Sequence, residues 1–245
     1  MIGPRLVKLL AALTFFSGCA SAGPPYITDD PQPTDFRQFE IYLFATGSDA
    51  RDGSEASAGL DFNYGAAPDL QLTAVVPVTY ENPVGSSSAS GIGNIELAAK
   101  YRFLHQGQIG WDVAVFPRYF FKSASSRVGE QHGAFLLPIW VQKDWQAWST
   151  FGGGGCVFQN GAQLKDFCLA GWAATHTFAS RLQLGVELVY QTADTPGGRS
   201  STALGAGLRY DISEHYHFLA SAGPTLRNAA ETSHYSWYAS LLLTF

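Results

Sequence analysis

At the C-terminal end every second residue is apolar: Tyr235, Trp237, Ala239, Leu241, Leu243 and Phe245 alternate with Ser236, Tyr238, Ser240, Leu242 and Thr244. Successive side chains of a β-strand point to opposite faces, so a period of two puts a greasy face and a mostly polar face on one strand. The alternation recurs upstream in Leu70, Leu72, Ala74, Val76 and Val78, in Ile95, Leu97, Ala99, Tyr101 and Phe103, in Trp111, Val113, Val115, Pro117, Tyr119 and Phe121, and in Leu182, Leu184, Val186, Leu188 and Tyr190. Strands are predicted near 36–47, 56–65, 70–80, 92–104, 111–121, 133–143, 148–158, 165–176, 181–192, 201–211, 216–224 and 234–245.

The connections decide which face is buried. Residues 66–69, 145–147, 178–180 and 212–214 make short turns, whereas 48–55, 81–90, 122–132 and 225–233 make longer polar loops. Short turns at one end and long loops at the other mark an outer-membrane barrel, the short ones being periplasmic. The expectation is therefore an all-β fold: a closed, antiparallel, up-and-down transmembrane β-barrel of about twelve strands, both of whose termini lie on the periplasmic side. Its apolar faces meet lipid, and its polar faces the lumen.

Composition agrees. Asp, Glu, Lys and Arg make up 14% of the 245 residues, against about 25% in an average soluble domain. Mean hydropathy is nonetheless zero. Apolar residues reach 46% but are spread thinly, and residues 23–245 hold no run long enough for a membrane helix, which needs about 18 to 20 apolar residues. A net charge of −5 gives no reason to expect nucleic acid as a partner.

Residues 1–22 have the layout of a bacterial export signal: basic Arg5 and Lys8, apolar Leu9 to Phe16, and small Ala20, Ser21 and Ala22 before Gly23. Cleavage is expected after Ala22. Phe16-Ser17-Gly18-Cys19 loosely matches a lipoprotein box, although Leu usually stands where Phe16 does. The chain divides into the signal peptide 1–22, a periplasmic N-terminal segment 23–35 and the barrel 36–245. The segment, rich in Pro and Asp, has no strand pattern and is compatible with either a small lumenal plug or a lead-in.

Ionisable groups are costly facing lipid, so those on the polar faces are expected to line the lumen: Glu40, Asp61, Glu96, Lys100, Arg102, Asp112, Arg118, Glu187, Arg209 and His217. They would filter solutes in an open pathway or neutralise one another in a filled one. Phe116, Phe120, Trp140 and Tyr238 also fall inward, narrowing the interior or stacking against an aromatic solute. Cys156 and Cys168 flank the turn-like Gln159-Asn160-Gly161-Ala162. A hairpin centred on Ala162 places them opposite one another, where a bridge is possible in an oxidising compartment, and two free thiols are the alternative.

Several phrases resemble one group of exported proteins: Gly23 to Pro31, Phe62-Asn63-Tyr64-Gly65 through Leu72, Gly93 to Leu97 with Lys100 to Phe103, Gln142 to Trp145 with the glycine run 152–155, Thr192 to Thr195 with Gly197 to Ser200, and His217 to Gly223. The group is labelled "putative MetA-pathway of phenol degradation" and covers nearly all of residues 23–245. The resemblance implies a barrel in the bacterial cell outer membrane that takes up small, aromatic or hydrophobic, solutes. A final strand ending in an aromatic residue, here Phe245, is by the same kind of resemblance the signal read by the outer-membrane barrel assembly machinery. Outer-membrane lipids, that machinery and a small solute are the expected partners of a monomer.

No enzyme, metal or cofactor is expected. His132, His234 and Ser236 fall near the loop end without a Ser-His-acid spacing. The His-x-Ser-Asn-Gly phrase of outer-membrane phospholipase A is missing, and no Gly-Lys-Ser/Thr follows the glycine run, so it is not a phosphate loop. His215 and His217 share one face in an alternating pattern, at most half a metal site.

Overall fold

The structure, a computed structural model, describes residues 25–129, 131–161 and 164–245. The expected export signal, with Ala22 and Cys19, lies outside the described residues. Twelve strands form one sheet: β1 (Phe39–Ala50), β2 (Gly53–Ala67), β3 (Leu70–Pro83), β4 in two pieces (Ala89–Ile92 and Glu96–Leu104), β5 in two pieces (Asp112–Val115 and Arg118–Phe120), β6 (Ala134–Trp145), β7 (Trp148–Gln159), β8 (Phe167–Ala179), β9 (Leu182–Gln191), β10 (Ser201–Asp211), β11 (Tyr216–Arg227) and β12 (Tyr235–Thr244). Each pairs antiparallel with its sequence neighbours, and β1 pairs β12 from Glu40↔Thr244 to Asp49↔Tyr235, which closes the barrel and leaves no free edge.

Burial is inverted relative to a soluble protein. Leu43, Leu60, Phe62, Leu72, Val76, Val78 and Leu97 are exposed on the outside, while Asn63, Gln71, Thr73, Glu96, Lys100 and Gln142 are buried inside. An apolar belt of this kind is stable only against hydrocarbon, and it makes the fold an outer-membrane barrel. The alternation is not pure: Leu219 and Leu242 point inward with Tyr42 and form a small apolar patch within the wall.

Two features differ from expectation. Residues 48–55 are not a loop, because β1 runs to Ala50 and β2 starts at Gly53 around a two-residue turn at Arg51 and Asp52. Polar Ser48, Asp49, Ser54 and Glu55 sit in these strands, paired as Ser48↔Glu55 and Asp49↔Ser54 next to the turn. His215 does not share a face with His217. It lies in the turn before β11, where its Nδ1 bonds Thr244 O at 3.0 Å and its ring stacks on Phe245, while His217 is buried inside.

Strands β4 and β5 are interrupted side by side, at residues 93–95 and 116–117. Pro117 has no N–H to give to the ladder. The backbone is still satisfied there: Gly93 N bonds Pro77 O at 2.9 Å, and Phe116 N bonds Pro138 O at 3.2 Å. The connection after β5 packs onto this break, with Ser125 N on Ile92 O at 2.8 Å and Val128 buried. Between β4 and β5 the chain makes one short helix, α1 (Gln106–Ile109), closed by Gly110 in the left-handed conformation.

Candidate functional site: a segment across the lumen

The N-terminal segment lies inside the barrel. Near the short-turn end Arg37 N bonds Gly65 O at 2.8 Å, and Thr34 N bonds Gln71 Oε1 at 2.8 Å. Gln71 in turn donates to Asn63 Oδ1 at 2.7 Å, so a buried amide network on β2 and β3 receives the segment. Further in, Lys100 Nζ on β4 meets Asp29 Oδ1 at 3.0 Å and Asp30 Oδ1 at 3.8 Å. On the opposite wall Glu187 of β9 accepts the backbone N–H groups of Ile27 at 3.2 Å and Thr28 at 3.0 Å. Ser221 of β11 donates to Pro25 O. Residues 25–37 thus cross from the β2–β4 wall to the β9–β11 wall.

Glycine makes room for this crossing. Gly185 and Gly207 stand opposite one another on β9 and β10, and Tyr26 lies over both. A Cβ at Gly207 would sit 2.8 Å from the Tyr26 ring, closer than side chains approach. Gly171 on β8 similarly receives Thr28. Inward glycines on adjacent strands, Gly171, Gly185 and Gly207, are the sequence signal that marks room for an inserted segment.

The ten expected inward residues form several groups. Glu96 and Arg118 pair bidentately, with Nε–Oε1 2.7 Å and Nη2–Oε2 2.9 Å. The Arg118 guanidinium lies 5.3 Å from the Phe116 ring centre and Lys100 Nζ lies 4.8 Å from it. At the short-turn end Arg102 holds Asp69 at 2.7 and 2.9 Å and also donates to Gln32. Asp112 accepts from Gln32 Nε2 at 3.0 Å and from Gln106 N at 2.9 Å. Arg209, Asp211 and His217 make a separate cluster, with Arg209 Nε 2.9 Å and His217 Nδ1 2.6 Å from Asp211 Oδ1. Glu40 accepts from the Tyr42 hydroxyl at 3.5 Å and Asp61 from Asn63 Nδ2 at 2.9 Å; neither pairs with a cation among the described residues. In the turn outside the strands, burial pushes the Asp69 carboxyl up, but hydrogen bonds from Arg102 and His105 outweigh it and hold the group below its usual range.

Above the segment lies a cavity of about 350 Å³, with Asp29, Asp30 and Tyr26 on its floor and Glu40, Phe44, Asp61, Phe120 and Tyr238 in its walls. Larger cavities of about 640 and 730 Å³ lie toward the long-loop end. Thr46, Pro77, Asn94 and Phe120 border both the inner cavity and the largest one. Trp140 is also inward and buried. On the wall, Cys156 and Cys168 stand opposite one another on β7 and β8 and are bonded.

The adjacent acids Asp29 and Asp30 both face Lys100. His132 Nε2 meets Gln159 and His234 Nδ1 faces Asp49, and neither ring is hydrogen-bonded to Ser236 among the described residues. No group of three His, Cys, Asp or Glu side chains among the described residues is placed to hold a metal ion.

Comparison with known proteins agrees with this architecture. Residues 37–240 match the model of the family described as "Putative MetA-pathway of phenol degradation". No curated protein matches the chain. Among solved structures, the COG4313 outer membrane channel from Pseudomonas putida F1 superposes with a TM-score of 0.69 at 12% identity, over 92% of this chain and 100% of that one. The KdgM porin gives 0.59 at 13% identity over 84% and 99%. The CymD monoaromatic hydrocarbon channel gives 0.50 at 10% identity over 87% and 89%. At such identities the likeness establishes the fold. With the family match spanning nearly all of the barrel, this chain is a bacterial outer-membrane β-barrel belonging to the "Putative MetA-pathway of phenol degradation" family.

Proposed function

We propose that the barrel is a passive channel for small solutes, with aromatic or hydrophobic molecules as the class it takes. The observation that carries this is the run of cavities from the long-loop end down to the segment at Asp29 and Asp30, bordered by shared residues. A lumen built only for rigidity would be filled with side chains, as eight-stranded barrels are; twelve strands enclose more room. Phe44, Phe120 and Tyr238 offer stacking faces in the inner cavity, and the inward charges act as the filter. The monoaromatic hydrocarbon channel in the comparisons and the family's description support the solute class.

The segment crossing the lumen favours a second reading, a structural barrel that is closed in its resting state. Liposome swelling with neutral monoaromatics, aromatic acids, aromatic amines and sugars separates the two. Swelling with at least one solute supports the channel; no swelling with any of them, together with no current in planar bilayers, overturns it. In this proposal the protein is exported on its N-terminal signal, inserts as a monomer among outer-membrane lipids, and presents exposed Phe245 to the assembly machinery.

A further inference from the structure

We infer that the inner cavity is a binding site for a small organic cation, an aromatic ring carrying an ammonium group. The inference rests on the channel reading above and names its preferred solute. Among the described residues the cavity is lined by five carboxylates, Asp29, Asp30, Glu40, Asp61 and Glu96, against two cations, Lys100 and Arg118. Both cations are already engaged. Arg118 is held bidentately by Glu96, and Lys100 by Asp29 and Asp30. Glu40 and Asp61 are therefore left over. They project inward from adjacent strands as diagonal neighbours, since Glu40 stands opposite Asn63 and Tyr42 opposite Asp61. Two like charges so placed repel each other and are costly away from bulk water unless a positive group joins them or they take up protons, and a bound ammonium group keeps them ionised.

A separate observation points the same way. Asp30 is fully buried at the cavity floor, and its Oδ2 has no hydrogen-bond partner, although Oδ1 accepts from Gln32 N at 2.6 Å. An ammonium group brings three donors and a positive charge, which is what this oxygen and the two spare carboxylates lack. The rest of the lining suits the rest of such a molecule. Phe44, Phe120 and Tyr238 present aromatic faces, whose negative quadrupole attracts cations and whose surface stacks rings. The approach is charged alike: the 730 Å³ cavity, which shares Thr46, Pro77, Asn94 and Phe120 with the inner one, is lined by Glu55, Glu81 and Asp194 and by no Lys or Arg among the described residues. A path lined by one sign of charge concentrates counter-ions and repels aromatic acids.

The test is equilibrium binding of benzylammonium, benzyl alcohol and benzoate to the folded barrel in nonionic micelles, against empty micelles. Glu40→Gln and Asp61→Asn are measured alongside, with retained heat-modifiable gel migration as the check on folding. Benzylammonium binding at least tenfold tighter than benzyl alcohol, with the preference falling severalfold in each variant, is the expected result. Benzyl alcohol or benzoate binding as tightly as benzylammonium overturns the charge preference, as does a preference that survives in both folded variants. No binding by any of the three overturns the site. The wild-type comparison decides the matter even if the variants do not fold. Liposome swelling with the same solutes reports separately on the channel, so swelling by benzyl alcohol without cation preference sinks this inference and leaves the channel standing.

Discussion

Glu187 accepts the backbone N–H of Thr28 at 3.0 Å, across 159 residues of sequence, and Ile27 N shares the same carboxylate at 3.2 Å. Glu187 is buried, so these bonds hold the far end of the lumenal segment in a water-poor setting. A hydrogen bond to a charged group contributes about 1.5–3 kcal/mol. Glu187→Ala is expected to free residues 25–28 and raise planar-bilayer conductance. Glu187→Gln keeps one acceptor oxygen and should fall between the two. Identical conductance in wild type and Glu187→Ala would show that the segment does not limit passage.

The glycine seat predicts a complementary effect. Gly207→Val places a branched side chain where the Tyr26 ring lies, with even the first carbon only 2.8 Å away. The segment should be displaced while the barrel closes normally, because residue 207 faces the lumen and its ladder bonds are untouched. Increased protease cleavage within residues 25–35 of the folded variant is the expected readout; unchanged protection would place Tyr26 elsewhere.

Glu96 and Arg118 predict strong non-additivity. Glu96 is buried while Arg118 is half-buried; removing the partner of a fully buried ion pair costs about 3–5 kcal/mol because the survivor is left unpaired, and here the loss should be at or below the low end of that range. Arg118→Ala should therefore lower the urea midpoint of the reconstituted barrel markedly, and the Glu96→Ala/Arg118→Ala double variant much less than the sum of the singles. A double variant equal to that sum would mean the pair is not coupled.

The turn residue Asp69 predicts an acid response. Burial raises its pKa, but Arg102 and His105, with Arg102 Nη2 and His105 Nε2 at 2.7 and 3.0 Å, outweigh that and leave it below the ordinary 3.8. A carboxyl depressed on folding adds stability that is fully present above its unfolded value and is lost as pH falls through the folded value. Wild type should thus lose stability below about pH 4 more steeply than Asp69→Asn, as followed by tryptophan fluorescence in urea at stepped pH. Parallel acid limbs in the two proteins would remove Asp69 from the balance.

The bond between Cys156 and Cys168 closes the β7–β8 hairpin across a separation of 12 residues. Closing a loop of that size contributes roughly 3 kcal/mol in the chain-entropy account. Cys156→Ser/Cys168→Ser should lower the urea midpoint with the barrel still formed. The unreduced, denatured wild type should gain no mass on alkylation, and a gain of two adducts would show free thiols.

What the sequence determined by itself was everything that follows from period two. Because side chains alternate along a strand, Leu70 to Val78 and Tyr235 to Phe245 identified their lipid and lumen faces without any partner. The assignment of ten ionisable residues to the inward face follows from the same alternation, and the opposition of Cys156 and Cys168 follows from the hairpin between them. Turn lengths gave the count of twelve, although polar residues at 48–55, read as a loop, belong to paired strands. Which inward charges meet was decided only by closure of the barrel. Lys100 faces Asp29, and Glu187 faces Thr28, through space enclosed by strands distant in sequence. Residues 25–35 have no period to read, so their path depended on a lumen that exists only once β1 joins β12. That closure left Glu40 and Asp61 without an ion-pair partner among the described residues, and it turned a list of inward polar residues into a cavity with more carboxylates than cations.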